Sequence, residues 1–222
     1  MKEINQHKRV NDILLGPLER PVLHWLAAHM PAWVTPDICT AIGLLGALLT
    51  MVSYGLSNYN PNYLWLASLG FFINWFGDSL DGTLARYRRI ERPRYGFYID
   101  HIIDVVCQVM IFLGLGLTPY VSFNIACLAL ISYLLLSILV YVRTYVVGEF
   151  KISYGRLGPT ESRALAVLLN TAMYFFGPQN NLFGQITFSN YDMVVAALAL
   201  LLLGFFINTA TREALRLAAL GE

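Results

Sequence analysis

Charged side chains are scarce in this sequence, and their scarcity excludes most soluble folds. Only 13% of the 222 residues are charged, whereas 57% are hydrophobic and the mean hydropathy is +0.56. Soluble domains usually contain about 25% charged residues, so the composition indicates an integral membrane protein. The net charge of +1 gives no reason to expect a nucleic-acid surface.

Two further features that the sequence lacks limit what kind of membrane protein this is. The three cysteines lie in apolar segments without CxxC or Cys/His spacing, so we expect small packing residues and neither a disulfide nor a zinc site. The basic first residues are not followed by an apolar core with a small-residue cleavage site. We therefore expect no removable signal peptide.

Long apolar runs, by contrast, are abundant, and their lengths predict helices. A cap residue followed by proline, Thr35-Pro36, marks the start of the first run, and prolines at 61 and 119 break the chain later. The sequence predicts an all-α integral membrane protein: a six-transmembrane-helix bundle in one domain, residues 1–222. The predicted spans cover residues 35–56, 62–85, 97–117, 121–145, 160–177 and 190–210.

The segment before the first span has a different pattern. Residues 1–33 are expected to be cytoplasmic or interfacial, because apolar and charged residues alternate irregularly between Val10 and His29. This mixture predicts an amphipathic interfacial helix, broken at Pro17 or Pro21. The alternative is that the segment packs against the bundle.

The basic residues predict how the bundle is oriented. With six spans drawn, all 15 lysines and arginines fall on one side of the membrane, in the N-terminal segment, the second and fourth connections and the C-terminus. By the positive-inside rule, both termini of this multi-pass protein are cytoplasmic. The basic side is then expected to contact anionic headgroups or phosphates.

Four aspartates interrupt two of the predicted spans. Asp78 and Asp81 stand three residues apart, and Asp100 and Asp104 four apart, so each pair projects from one helix face. Carboxylates inside a membrane are costly and usually functional. Oxygen ligands of this kind suit Mg²⁺, Mn²⁺ or Ca²⁺.

The two aspartate pairs also agree in depth. At about 1.5 Å of rise per residue, the first pair lies roughly 24 to 29 Å along the second span and the other pair roughly 21 to 27 Å along the third. In a hydrocarbon core about 30 Å thick, both pairs lie just inside the cytoplasmic interface. Lipid phosphates and soluble nucleotides can both reach that level.

These residues form a pattern, DxxDGxxAR from Asp78 to Arg86, then nine residues, then GxxxDxxxD from Gly96 to Asp104. The pattern resembles the signature of the CDP-alcohol phosphotransferases. The resemblance implies a six-helix membrane bundle with an N-terminal interfacial helix, commonly a homodimer, that acts in phospholipid biosynthesis. Such an enzyme transfers a substituted phosphoryl group from a CDP-alcohol to an acceptor hydroxyl and releases CMP. We expect it in a bacterial or archaeal cell membrane.

The resemblance also implies roles for the aspartates. Asp78, Asp81 and Asp100 would hold two Mg²⁺ or Mn²⁺ ions. Asp104 would be the catalytic general base that takes the proton from the acceptor hydroxyl, while also contacting metal. Asp37 stands where similar sequences often have asparagine, so a nucleotide contact by that residue is not expected.

Small residues and one arginine beside the aspartates are candidate nucleotide contacts. Gly82 and Ala85, with Gly96 on the next helix, leave a notch that a cytidine or ribose can approach. The alternative is close helix packing, as is expected for Gly43 with Gly46 and for Gly114 with Gly116.

Three arginines near the cytoplasmic level are candidate anion contacts. Arg86 can bind a phosphate bidentately or pair with an aspartate of its own helix. Arg143 and Arg163 are candidates for an acceptor or lipid phosphate, and snorkelling towards the interface is the simpler explanation of both.

The substrates stay open at this point. His101, directly after the third aspartate, resembles choline and ethanolamine phosphotransferases, whereas the residues around Asp104 differ from those of phosphatidylglycerophosphate synthases. Either CDP-diacylglycerol donates to a small alcohol, or a CDP-aminoalcohol donates to diacylglycerol. An ion-coupled transporter that uses the aspartates is the alternative from another class, and a non-catalytic scaffold with ion-paired aspartates is a third.

Overall fold

The computed structural model describes residues 8–10, 14–147, 149–151, 158–183 and 186–220. Helices dominate these residues, which confirms the all-α prediction apart from two short strand pairs that were not expected. Strand β1 (Lys8–Val10) runs parallel to β2 (Glu149–Lys151), and β3 (Asn180–Phe183) is antiparallel to β4 (Ile186–Ser189). The seven helices are α1 (Gly16–His29), α2 (Pro36–Leu56), α3 (Tyr63–Arg88), α4 (Pro93–Gly116), α5 (Phe123–Val147), α6 (Pro159–Phe176) and α7 (Asn190–Ala219).

Among the described helices, α2, α4, α5 and α7 are long and apolar enough to cross a membrane. The predicted spans at α3 and α6 are helices of 26 and 18 residues. Their hydropathy is lower because α3 contains Asn74, Asp78 and Asp81, and α6 contains Glu161 and Arg163. Four spans are thus confirmed as candidates, and the membrane crossing of α3 and α6 stays a prediction.

Helix ends agree with the predicted boundaries within a few residues, except at two places. The Thr35 hydroxyl accepts the Ile38 N–H at 3.3 Å, so the predicted cap of α2 is confirmed. Helix α4 begins at Pro93, before the predicted residue 97, because proline is well suited to a first turn. Helix α7 continues past residue 210 to Ala219, so its last turns are charged.

Helix α1 packs against α3. Leu23 and Ala27 are buried in a cluster with Leu80 and Leu84, and Arg88 donates hydrogen bonds to the carbonyls that follow α1. The alternative prediction for the N-terminal segment, that it packs against the bundle, is therefore confirmed for the face of α1 that contacts α3.

The predicted break in α1 is wrong. The helix continues through both prolines. Pro17 lies in the first turn, where an N–H would have no helical partner, and Pro21 lies only one turn further on, so few hydrogen bonds are lost.

Helices α2 and α3 meet along a seam of glycines, here called the glycine seam: Gly43 and Gly46 of α2 and Gly70 and Gly77 of α3. Gly46 faces Gly70 and Gly43 faces Gly77, so residue numbers rise along α2 as they fall along α3, and the helices are antiparallel. A Cβ on Gly46 would lie 2.8 Å from the Gly70 carbonyl oxygen. The predicted packing role of Gly43 and Gly46 is confirmed.

A second apolar core lies at the other end of the bundle. It combines side chains from α2 to α7, among them Tyr54, Phe71, Leu115, Met173 and Tyr191. Within it, the Tyr54 hydroxyl donates to Asn170 of α6 at 2.8 Å. All three cysteines are free, and Cys39 and Cys107 are buried, as expected of packing residues.

The glycine seam makes a prediction about stability. We expect Gly46→Ala to lower the free energy of unfolding by about 1–3 kcal/mol, because the added methyl group would overlap the α3 backbone. Gly55→Ala, in the same helix, is the control, since a Cβ there meets nothing within 4 Å. Thermal unfolding of the detergent-purified variants checks this, and equal midpoints for both would contradict it.

Candidate functional site

The site forms where α3 and α4 bring their aspartates together. Asp78 of α3 and Asp100 and Asp104 of α4 are half-buried, and one carboxylate oxygen from each lies within 4.8 Å of the others. The i, i+4 spacing on α4 places both of its aspartates towards α3. We call these three residues the aspartate cluster.

The fourth predicted ligand lies outside this group. Asp81 is held at the side, where its Oδ2 accepts a hydrogen bond of 2.7 Å from the Thr40 hydroxyl of α2 and its Oδ1 accepts the Gly82 N–H. Thr40 also donates to the Pro36 carbonyl of its own helix at 3.2 Å. The α2 contact therefore orients Asp81, whereas the other three carboxylates converge.

A guanidinium from α6 reaches the cluster. Arg163 donates from Nη2 to Asp78 Oδ2 at 2.6 Å and from Nε to Asn74 Oδ1 at 2.8 Å. Asn74 lies one turn before Asp78 on α3 and donates to the Gly43 carbonyl at 2.9 Å. Arg163 is thus part of the site, where it forms an ion pair with Asp78.

Arg143, the other arginine proposed for a phosphate, points to a different partner. Its Nε lies 3.6 Å from a carboxylate oxygen of Glu213 on α7, and Arg216 contacts the same glutamate at 3.6 Å. The extension of α7 beyond the predicted residue 210 supplies both partners.

The candidate nucleotide contacts lie at the beginning of α4 and the end of α3. A Cβ on Gly96 would meet no atom within 4 Å, and the atoms nearest to a Cβ on Gly82 would be those of the Arg86 guanidinium, at 3.3 Å. Arg86 is exposed and also donates to the Thr83 hydroxyl at 3.3 Å, while Ala85 is half-buried. Gly96 therefore borders open space, whereas the Arg86 side chain lies over Gly82, and neither glycine meets a helix backbone as closely as the glycine seam does.

A narrow cleft opens onto the aspartate cluster. The neutral polar residues of this cleft, Thr40 and Asn74, were not predicted as site residues, although a polar side chain within an apolar helix is a usable signal of a site. His101 does not line the cleft, and its ring packs against those of Phe97 and Tyr141, with centroids 4.0 and 4.8 Å away. The cleft is lined by Thr40, Gly43, Asn74, Asp78, Asp100, Ile103, Asp104 and Cys107.

The donor set fits a hard divalent cation. Three carboxylates within 4.8 Å of one another repel in a medium of low dielectric constant, and the single positive charge of Arg163 offsets only part of their charge. Carboxylate oxygens without sulfur or imidazole ligands favour Mg²⁺ or Mn²⁺.

Comparison with known proteins finds one family. The model of the CDP-alcohol phosphatidyltransferase family matches residues 33–204, which include every aspartate of the site. Two similar proteins are cholinephosphotransferase 1 of Gallus gallus, 28% identical over 80% of this chain and 55% of the relative, and that of Danio rerio, 26% identical over 80% and 48%. The chain spans about half the length of these relatives.

A shorter match comes from a bacterial protein. Phosphatidylinositol phosphate synthase of Cutibacterium acnes is 33% identical over 90 residues, 40% of this chain and 41% of the relative. The two kinds of relative carry different names.

The aspartate cluster makes a prediction about cation binding. We expect Asp100→Asn to weaken Mn²⁺ binding at least about tenfold, because it removes one charged ligand of three. Asp37→Asn is the control: it also removes one negative charge, but Asp37 is exposed and paired with Arg92 at 2.5 Å. Electron paramagnetic resonance of free Mn²⁺ measures both, and equal weakening would count against the site.

Proposed function

We propose, from the premise that the chain belongs to the CDP-alcohol phosphatidyltransferase family, that it transfers a substituted phosphoryl group from a CDP-alcohol to an acceptor hydroxyl and releases CMP. The observation that carries the proposal is the convergence of Asp78, Asp100 and Asp104, which come from two separate parts of the motif. A reaction of this kind depends on neutralising phosphate charge, and the cluster suits that task.

Two Mg²⁺ or Mn²⁺ ions are the proposed cofactors, and when bound they would neutralise the donor pyrophosphate and the leaving CMP. The aspartate cluster would hold them, together with Asp81 on its Thr40 hydrogen bond. The chemistry of the oxygen donors supports this assignment.

Asp104 is the proposed general base. It lies one turn further into α4 than Asp100 and lines the cleft beside Ile103 and Cys107. In this proposal, its carboxylate would accept the proton of an alcohol that enters the cleft. Asp78 and Asp100 would be left to act on the metal ions and the donor phosphates.

The nucleotide is proposed to bind at the cytoplasmic ends of α3 and α4. The open space at Gly96 supports this, since a base or ribose can approach a backbone without side chains, and the Arg86 side chain lies close by over Gly82. Ala85 continues the same helix surface, and the exposed Arg86 can reach a phosphate.

The donor and acceptor are proposed to be a CDP-aminoalcohol and diacylglycerol. The relatives named cholinephosphotransferase match 80% of the chain, whereas the one named phosphatidylinositol phosphate synthase matches 40%. In addition, Arg143 and Arg163 are engaged with Glu213 and Asp78, which leaves them less suited to an anionic acceptor. CDP-diacylglycerol with a small alcohol is the second candidate, supported by the bacterial relative.

The membrane arrangement is part of the proposal. Six spans, with α3 and α6 completing the four apolar helices, would place both termini in the cytoplasm of a bacterial or archaeal cell. A homodimer is proposed from the resemblance to the family. The outer face of α1, where Leu18 and Trp25 are exposed, would lie at the membrane–water interface.

A matrix of substrates tests the reaction. The purified protein, with Mg²⁺ or Mn²⁺, is expected to release CMP from CDP-choline or CDP-ethanolamine in the presence of diacylglycerol. CDP-diacylglycerol is tested in parallel against inositol phosphate, inositol, serine and glycerol phosphate. Release in that second arm alone would replace the proposed substrates, and release in neither would contradict the function.

The base assignment has its own test. We expect Asp104→Asn to lower the rate of CMP release by about 10²–10⁴-fold, because the hydroxyl proton then has no acceptor. Glu91→Gln, an exposed acid between α3 and α4, is the matched control and should retain activity. Chromatographic measurement of CMP decides the matter, and a fully active Asp104→Asn would exclude this base.

A further inference from the structure

Arg163 is bound in an unusual way for a residue expected to hold a phosphate. Its Nη2 donates to Asp78 at 2.6 Å and its Nε to Asn74 at 2.8 Å, while Nη1 is buried and has no hydrogen-bond partner among the described residues. A buried guanidinium N–H without a partner costs stability. The present arrangement therefore satisfies Arg163 only in part.

Asn74 holds the Arg163 guanidinium in place by accepting its Nε hydrogen bond. The Asn74 side chain is 3% exposed, and its amide donates to the Gly43 carbonyl at 2.9 Å across the glycine seam. A Cβ on Gly43 would lie 3.3 Å from the Asp78 N and 3.4 Å from the Asn74 carbonyl oxygen, so the two helix backbones leave little freedom here. Because Asn74 is held by this packing, the position of the Arg163 Nε that donates to it is also held.

The carboxylate that Arg163 binds is also one of the three that converge. Asp78 shares the 4.8 Å group with Asp100 and Asp104, and its Oδ2 accepts the Arg163 N–H. A divalent ion and the guanidinium are therefore attracted to the same carboxylate, and their like charges repel. Binding of one must weaken binding of the other.

We propose that Arg163, held at Nε by Asn74, is an internal counter-cation of the aspartate cluster, and that a divalent ion binds in competition with its ion pair to Asp78. In formal charge, the three carboxylates and Arg163 sum to −2, which the first of the two proposed divalent ions would neutralise. Asn74 is then a positioning residue that keeps the displaced guanidinium beside the cluster. This inference rests on the proposed metal site.

Mn²⁺ affinity tests the inference without any turnover. In detergent micelles at fixed ionic strength, Arg163→Gln is expected to bind Mn²⁺ about tenfold more tightly than the wild type, because a competing positive charge is gone. Arg163→Lys keeps the charge and should stay close to the wild type. Asn74→Ala, which loosens the guanidinium but retains it, should give a smaller increase, about threefold.

The control is Arg143→Gln, which removes the same charge at the Glu213 pair and should leave Mn²⁺ affinity unchanged. An arginine that merely stabilised the fold would lower Mn²⁺ affinity when replaced, so the direction of the change is decisive. If Arg163→Gln does not fold, the Mn²⁺ affinity of Asn74→Ala decides whether the inference holds.

The outcomes separate this inference from the proposed function. Unchanged or weaker Mn²⁺ binding in folded Arg163→Gln and Asn74→Ala would overturn the counter-cation alone. No Mn²⁺ binding in the wild type and the variants would overturn both the counter-cation and the proposed metal site. Normal Mn²⁺ binding without CMP release from any donor would contradict the proposed reaction and leave the counter-cation standing.

Discussion

The site depends on the close approach of two helix backbones. At the glycine seam, a Cβ on Gly46, Gly70 or Gly77 would lie less than 3 Å from backbone atoms of the other helix, so the close approach of α2 and α3 is possible only because glycine has no Cβ. This approach brings the Gly43 carbonyl within reach of Asn74 and the Thr40 hydroxyl within reach of Asp81. A wider spacing would break both hydrogen bonds, and with them the supports of Arg163 and Asp81.

Charge balance is the second constraint. A membrane interior tolerates a cluster of carboxylates only if cations accompany them. Arg163 reaches Asp78 from α6 and provides part of that compensation in the described structure. Under the proposed function, charged substrates would enter and leave this site, and the Arg163 guanidinium would keep part of the carboxylate charge balanced throughout.

The N-terminal helix is joined to the same region by polar contacts. Glu19 of α1 accepts hydrogen bonds from Trp75 and Ser79 of α3 and from Thr160 of α6. Ser79 is adjacent to Asp78, and Thr160 lies one turn before Arg163. Helix α1 therefore supports the α3–α6 contact from the outside, while Arg163 bridges the same two helices inside the cleft.

Hydropathy, capping residues and residue spacing predicted the helices, most of their boundaries, the family pattern and the four aspartates, because these are local properties of a chain. They could not predict which side chains meet. The packing of the helices separates Asp81 from the other three carboxylates, puts Arg163 in the site and Arg143 against Glu213, and adds Thr40 and Asn74. The reason is that periodicity fixes the face of one helix, whereas contacts between helices depend on how closely their backbones pack.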